Sequence, residues 1–128
     1  MNKQKPVVLI VDDTVMFRKQ LKEILEDKGA IGLIEEAGSY AEGVEKMDAL
    51  SPAVVLLDIG LPDKNGIELL KYISKKHPHT EVVMITNNVN DYYKKQCKAL
   101  GAGYFIDKSN QFEMISRVIA EIVSKKEK

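Results

Sequence analysis

Five polar residues stand where short apolar runs stop. Asp12 and Asp13 follow Val7-Val8-Leu9-Ile10-Val11, Asp58 follows Ala53-Val54-Val55-Leu56-Leu57, Thr86 follows Val82-Val83-Met84-Ile85, and Lys108 lies just past Tyr104-Phe105-Ile106. Continuous apolar runs of this length, rich in β-branched residues, read as strands buried on both faces, which places these five residues at strand ends. Three carboxylates brought to one rim repel one another, which raises their proton affinity and suits them to a hard cation. Magnesium is the expected ion, since it takes octahedral oxygen ligands and keeps several waters. One or two carboxylates, a backbone carbonyl and a phosphoryl oxygen would complete its shell. Lys108 adds a compact positive charge, and Thr86 adds a hydroxyl able to donate to a phosphoryl oxygen. With a metal and a lysine neutralising a phosphoryl group, one carboxylate can attack in line and become an acyl phosphate. Asp58, alone at the middle of the set, is the candidate nucleophile.

The elements between these runs are helical. Phe17, Leu21, Ile24 and Leu25 form one apolar stripe after a cap expected at Asp13, with Arg18, Lys19, Lys22 and Glu23 facing away and Lys28-Gly29 closing the helix. Ile31 to Ala37 reads as a strand whose Glu35 and Glu36 suit a sheet edge. Ser39 and Glu42 make a capping box for a helix with Ala41, Val44, Met47 and Leu50 inside, ended by Ser51-Pro52. After Asp58, Pro62, which fixes φ, and Asn65-Gly66, which tolerate positive φ, lead into a helix from Ile67, carrying Leu69, Leu70 and Ile73 and ending at Lys76-His77-Pro78. Asn87 to Asn90 opens a fourth helix, with Tyr93, Cys97 and Leu100 inside and Gly101-Ala102-Gly103 as its stop. Asn110 with Glu113 reads as a second capping box, and Phe112, Ile115, Ile119 and Ile122 bury the last helix.

Five strands alternating with helices imply an α/β fold with a parallel sheet covered on both faces, and such sheets bind ligands at the carboxyl ends of their strands. At 128 residues and 45% hydrophobic content, the chain is read as one domain over 1–128, with its core at about 6–123 and a charged tail at 124–128. Lysine plus arginine balance aspartate plus glutamate at 19 each, so no net field draws the chain to nucleic acid. No apolar stretch is long enough for membrane insertion, Met1-Asn2-Lys3-Gln4-Lys5 leads into a strand rather than an apolar leader, and Cys97 has no disulfide partner. A cytoplasmic setting is expected.

These residues together resemble the receiver domain of two-component response regulators, in particular the single-domain chemotaxis type. The resemblance spans nearly all of residues 6 to 123 and rests on Val11-Asp12-Asp13, Leu57-Asp58 through Leu61-Pro62 to Asn65-Gly66, Ile85-Thr86, and Lys108 after Gly101-Ala102. It implies a flavodoxin-like, doubly wound sheet in the order 2-1-3-4-5, an order for which the chemotaxis member is a standard example. By the same likeness Asp58 is the phosphoacceptor, Asp13 a direct Mg2+ ligand, Asp12 a ligand through water and the Gly60 carbonyl the third protein ligand. Thr86 and Lys108 then act on the phosphoryl oxygens. The implied donor is a histidine kinase or phosphotransfer protein. The implied switch moves Thr86 inward and rotates Phe105 behind it, changing the face of the fourth helix, fifth strand and fifth helix that meets a downstream protein. Such a domain catalyses its own phosphorylation and dephosphorylation, yet its product is a conformational state.

Four positions depart from the family pattern or tune it. Asn87 stands where a small residue is usual, Ser109 where proline is frequent, and Gly60 and Asn88 where the family adjusts water attack on the acyl phosphate. Asn87 is the main argument for the alternative, a pseudo-receiver that docks proteins without carrying phosphate. A nucleotide-binding role is weaker, because no glycine-rich loop follows the first strand. Asp63-Lys64-Asn65-Gly66 fails as a calcium loop, since Leu61 and Tyr72 stand where its first and last acidic ligands belong. His77 and His79 are expected in solvent, Cys97 in the core, Tyr92 beside the switch face, and Arg18, Lys19 and Lys22 on a solvated face available to a kinase.

Overall fold

The computed structural model describes residues 5–26, 31–110 and 112–126. Strands and helices alternate as β1 (Val7–Val11), α1 (Val15–Glu26), β2 (Leu33–Ala37), α2 (Tyr40–Leu50), β3 (Val54–Leu57), α3 (Gly66–Lys76), β4 (Glu81–Thr86), α4 (Asp91–Ala99), β5 (Tyr104–Asp107) and α5 (Met114–Lys126). All four strand pairings are parallel, and the sheet order is β2-β1-β3-β4-β5. This is the flavodoxin-like arrangement expected above. The chain leaves β1 toward β2 on one side and returns to β3 on the other, so the order reverses between β1 and β3. A crevice opens at the carboxyl ends of strands at such a reversal.

Strand alternation divides the core into two layers. Val8 and Ile10 of β1 pack with Leu21 and Leu25 of α1 and with Ile115, Ile119 and Ile122 of α5. Leu9 and Val11 point the other way, among Met47 of α2, Leu69, Leu70 and Ile73 of α3 and Cys97 of α4. Every residue of β3 is buried, whereas β2, with Glu35 and Glu36, is the half-covered edge that its sequence predicted. Truncating a side chain such as Leu56 or Leu69 to alanine would cost roughly 2–5 kcal/mol.

The helix ends confirm some sequence signals and correct others. Ser39 Oγ accepts from the Glu42 amide at 3.1 Å, as a capping residue should, and Asn65 and Asn90 cap α3 and α4 through Ile67 N and Tyr93 N. Ser51, with φ 44°, and Gly101, with φ 104°, carry the left-handed turns that end α2 and α4. Gly66 is not one of these, and Asn65 lies at φ −62°. The Asn65-Gly66 turn is therefore set by crowding: a Cβ on Gly66 would sit 2.0 Å from the Asp58 carbonyl oxygen. At α1 the Thr14 amide is taken by Asp12 Oδ1 at 2.8 Å rather than by the expected cap Asp13, which is exposed. The expected Asn110–Glu113 box does not form the start of α5. That helix begins at Met114, and the Asn110 amide is drawn back to Asp107 Oδ2 at 3.1 Å.

Arg18 also turns inward rather than away. Its guanidinium bonds the Asp12 carbonyl and Glu36 Oε1, the latter at 2.9 Å, so α1 is tied to the ends of β1 and β2. His77 lies in the expected loop but is largely covered rather than solvated. It follows α3 with Nε2 3.0 Å from Asp48 Oδ1, beside the Tyr72 hydroxyl, which donates to the same carboxylate. The expected tail from 124 is helical as far as Lys126, whose ammonium donates to the His79 carbonyl at 3.1 Å. Lys28-Gly29, Met1 to Gln4, and Glu127-Lys128 lie outside the described residues. Among the described residues no helix is long and apolar enough to cross a membrane.

Candidate functional site

Parallel pairing sets the backbone of the site. The Asp58 amide donates to the Val11 carbonyl, the Asp12 amide to Ala37 and the Lys108 amide to Thr86, all at 3.0 Å. The ends of β1, β2, β3, β4 and β5 are thereby locked into one rim, and the polar residues just past them project from it. Asp12 is 2% exposed and Asp58 8% exposed, whereas Asp13 is open to solvent. One carboxylate oxygen from each of Asp12, Asp13 and Asp58 lies within 4.8 Å of the others.

Lys108 reaches across this group. Its ammonium is 2.6 Å from Asp12 Oδ2 and 3.1 Å from Asp58 Oδ2, with the lysine side chain 11% exposed. Asp12 Oδ2 is fully buried, and the ammonium is its close partner. Burial pushes the Asp12 carboxyl above the usual range, and the Asp58 charge adds to the rise. The Lys108 and Thr14 hydrogen bonds and the lysine charge oppose it. Burial pulls the Lys108 ammonium down, but its bond to Asp12 and the charges of Asp58 and Asp12 outweigh this and leave it above its ordinary value. The lysine therefore stays charged and holds together two acids that would otherwise repel.

The donor set fits a hard divalent cation. Three carboxylates offer oxygen within one small volume, more negative charge than the single ammonium between two of them can neutralise. Gly60 lies on the loop just past Asp58, its amide 3.3 Å from Asp58 Oδ1. That loop is anchored by Asp63, whose carboxylate accepts from the Tyr40 and Ala41 amides of α2 at 2.8 and 3.0 Å. It is closed by the 2.6 Å bond from Gly66 N to the Ile59 carbonyl.

Thr86 is fully buried at the end of β4, and its Oγ accepts from the Asn88 amide at 3.1 Å. Its neighbour Asn87 accepts through Oδ1 from the Ser109 hydroxyl at 2.9 Å. The two residues that depart from the family pattern thus meet, joining the loop after β4 to the loop after β5. Phe105 sits apart from the carboxylates, half-buried on β5 against the α4 side of the core. It lines a groove of about 290 Å³ with Val89, Asp91, Lys94, Asp107 and Asn110. Tyr92 on α4 is 70% exposed, its ring against Tyr93, and Cys97 is fully buried.

Two partners of the site were missed by sequence reasoning. Arg18 grips the Asp12 carbonyl from α1, and the ring of Phe17, read only as core, lies 4.2 Å from the Lys108 ammonium. A signal for both was present in their spacing: residues four and five beyond Asp13 on a helix starting at Val15 come back toward the end of β1.

The sequence model for the response regulator receiver domain matches residues 8–120. Among curated proteins, the chain is 32% identical over 122 residues to a protein-glutamate methylesterase/protein-glutamine glutaminase of Alkalilimnicola ehrlichii, covering 90% of this chain and 31% of that protein. It is 39% identical over 103 residues to the enzyme of the same description from Thermotoga maritima, covering 79% and 30%. The chain therefore spans less than a third of these relatives. The response regulator domain of Thermotoga maritima CheB superposes with a TM-score of 0.82 at 30% identity, covering 93% of this chain and 94% of that one. A CheY-like receiver domain protein from Methanospirillum hungatei superposes with a TM-score of 0.88 at 30% identity, covering 98% of both chains. With its sheet order, its rim of carboxylates and its lysine, the chain belongs to the response regulator receiver domain family.

Proposed function

We propose that Asp58 accepts a phosphoryl group from a histidine kinase or phosphotransfer protein, and that the phosphorylated domain signals by protein contact. The observation that carries this reading is the Lys108 ammonium bonded at once to Asp12 and Asp58, which places a charge-neutralising donor over the proposed nucleophile. Asp13, Asp12, Asp58 and the Gly60 carbonyl would hold Mg2+, which when bound neutralises charge on the transferred group. A carboxylate oxygen of Asp58 forms the new bond to phosphorus as the bond to the donor's imidazole nitrogen breaks and the imidazole leaves. Lys108 follows the transferred oxygens, and Thr86 exchanges its bond from the Asn88 amide for one to the phosphoryl group. The space vacated by the threonine lets Phe105 turn inward from the groove between α4 and the end of β5, where Val89 is exposed, and so changes the α4–β5–α5 face offered to a downstream protein.

A pseudo-receiver that only docks proteins is the less favoured reading, because none of the acids nor the lysine is missing and the fold gathers them. The deciding experiment is intact mass after incubation with magnesium and acetyl phosphate. One phosphoryl addition, dependent on the metal and lost in Asp58→Asn, is expected. Addition that survives in Asp58→Asn would place the nucleophile elsewhere, and failure with both acetyl phosphate and phosphorylated kinases would favour the docking module.

A further inference from the structure

We infer that Phe17 is a positioning residue for Lys108, holding its ammonium over Asp58 by an attraction that does not depend on the carboxylates. This deepens the phosphoacceptor reading above and rests on it for its catalytic consequence. Among the described residues the ammonium meets Asp12 at 2.6 Å, Asp58 at 3.1 Å and the face of the Phe17 ring at 4.2 Å from ammonium to centroid. The ring face carries the negative end of the aromatic quadrupole, and a cation at this distance is drawn to it. With the lysine side chain only 11% exposed, water competes weakly for the ammonium.

The ring itself is braced. Phe17 projects from the first turn of α1, half-buried, and meets Phe112 edge-on, with centroids 5.6 Å apart and planes at 60°. That geometry presents the positive edge of one ring to the negative face of the other and fixes both. Phe112 lies in the turn between β5 and α5, and its carbonyl accepts from Ile115 at the start of that helix. Below the ring, Ile10, Leu21, Leu56 and Ile85 line a dry apolar floor under Asp12 and Asp58. Phe17 is thus the side wall of the site as well as the seat of its lysine.

The reason for such a seat lies in what a divalent cation does to this rim. A metal held by Asp12, Asp13 and Asp58 would neutralise the negative charge that holds Lys108, while the lysine must still point at an incoming phosphoryl group. The Phe17 face keeps its attraction when the carboxylates are neutralised. It restricts the lysine to an arc over Asp58 rather than releasing it to solvent, which lowers the entropy lost on meeting the phosphoryl oxygens.

The test uses the full chain with Phe17→Leu, with Phe17→Tyr, and with pentafluorophenylalanine at position 17. The last keeps the shape of the ring and reverses its quadrupole, so it guards against a leucine variant that fails to fold. Order of the Lys108 ε-methylene is read by NMR with magnesium present, and the rate of phosphorylation by acetyl phosphate is measured beside it. The expected result is a mobile lysine and a rate lower by roughly twofold to fivefold in the leucine and pentafluoro proteins, with both properties restored by tyrosine. A lysine equally ordered in all four proteins overturns the inference, as does a loss that tyrosine fails to restore. A wild-type chain that takes no phosphoryl group overturns the phosphoacceptor reading instead, and the lysine's order still decides the role of Phe17.

Discussion

Replacing Lys108 with methionine removes one charge and leaves the apolar stem in place. The Asp12 carboxylate, 2% exposed, would lose the partner of its buried Oδ2, and Asp58 would lose the ammonium that lies 3.1 Å from its Oδ2. Breaking a buried pair by removing one member costs roughly 3–5 kcal/mol. The lower end applies, because Asp12 already sits above the usual carboxyl range through burial and can take a proton once the lysine is gone. About 3 kcal/mol in a domain of this size is about 10 °C in Tm. The sign with pH follows from linkage. An acid held above its unfolded value of 3.8 binds protons more tightly when folded, so stability falls as pH rises from that value through the raised one. Lys108→Met removes two of the influences that lower Asp12, widens this window and makes the fall steeper. The variant should therefore be well below the parent in Tm at neutral pH, approach it in mild acid, and recover on adding magnesium, which replaces the missing positive charge. Calorimetry of both proteins under these three conditions is the assay. A variant as stable as the parent at neutral pH, or one indifferent to both acid and magnesium, would refute the neutralising role assigned to the lysine.

Three further outcomes are expected. Asn87→Ala removes the 2.9 Å bond to Ser109 that spans the loops beside Thr86 and should speed labelling by acetyl phosphate, whereas an unchanged rate would mean that the bridge does not restrict access. Gly66→Ala forces a Cβ to within 2.0 Å of the Asp58 carbonyl, so titration should show weakened magnesium binding and melting should show a lower Tm; wild-type values for both would mean the loop relaxes freely. Asp48 is held below the usual carboxylate range by the Tyr72 hydroxyl and by His77, so its support is present above the unfolded value and is lost as pH falls through the lowered one. Asp48→Asn should flatten the acid limb of the stability curve, which circular dichroism against pH would register.

The alternation of strands with helices and the core were legible because the relevant signals are local, whereas the sheet order followed only from the resemblance to the receiver family. Val7 to Val11 and Val54 to Leu57 announce themselves by composition, and Leu21, Leu25, Ile115 and Ile119 by helical period, so which residues face the sheet follows from pattern alone. The strand-end acids and Lys108 were equally legible, because a polar residue closing an apolar run is conspicuous. What escaped depends on distances through space. The Thr14 amide chose Asp12 over Asp13 because Asp12 is the residue turned into the fold. Asn110 gave up its expected cap for Asp107, and His77 found Asp48 on a helix distant in sequence. Phe17 and Arg18 looked like stripe and surface, and only the fold shows one against Lys108 and the other against the Asp12 carbonyl. Hydrophobic periodicity reports which side of a helix is covered, not which polar atom covers it.

Cys97 is fully exposed to none of the solvent and lies on α4, facing the sheet beside Phe105 and Ala102. Burial pushes its thiol up to about 11. An alkylating reagent must therefore wait for α4 to lift before it meets a thiol able to ionise. The sequence contains no other cysteine, so every cysteine alkylation reports an opening, local or global, that uncovers this one thiol. The chain thus carries its own clock for the helix that flanks the groove at Phe105, readable by mass without any engineered label.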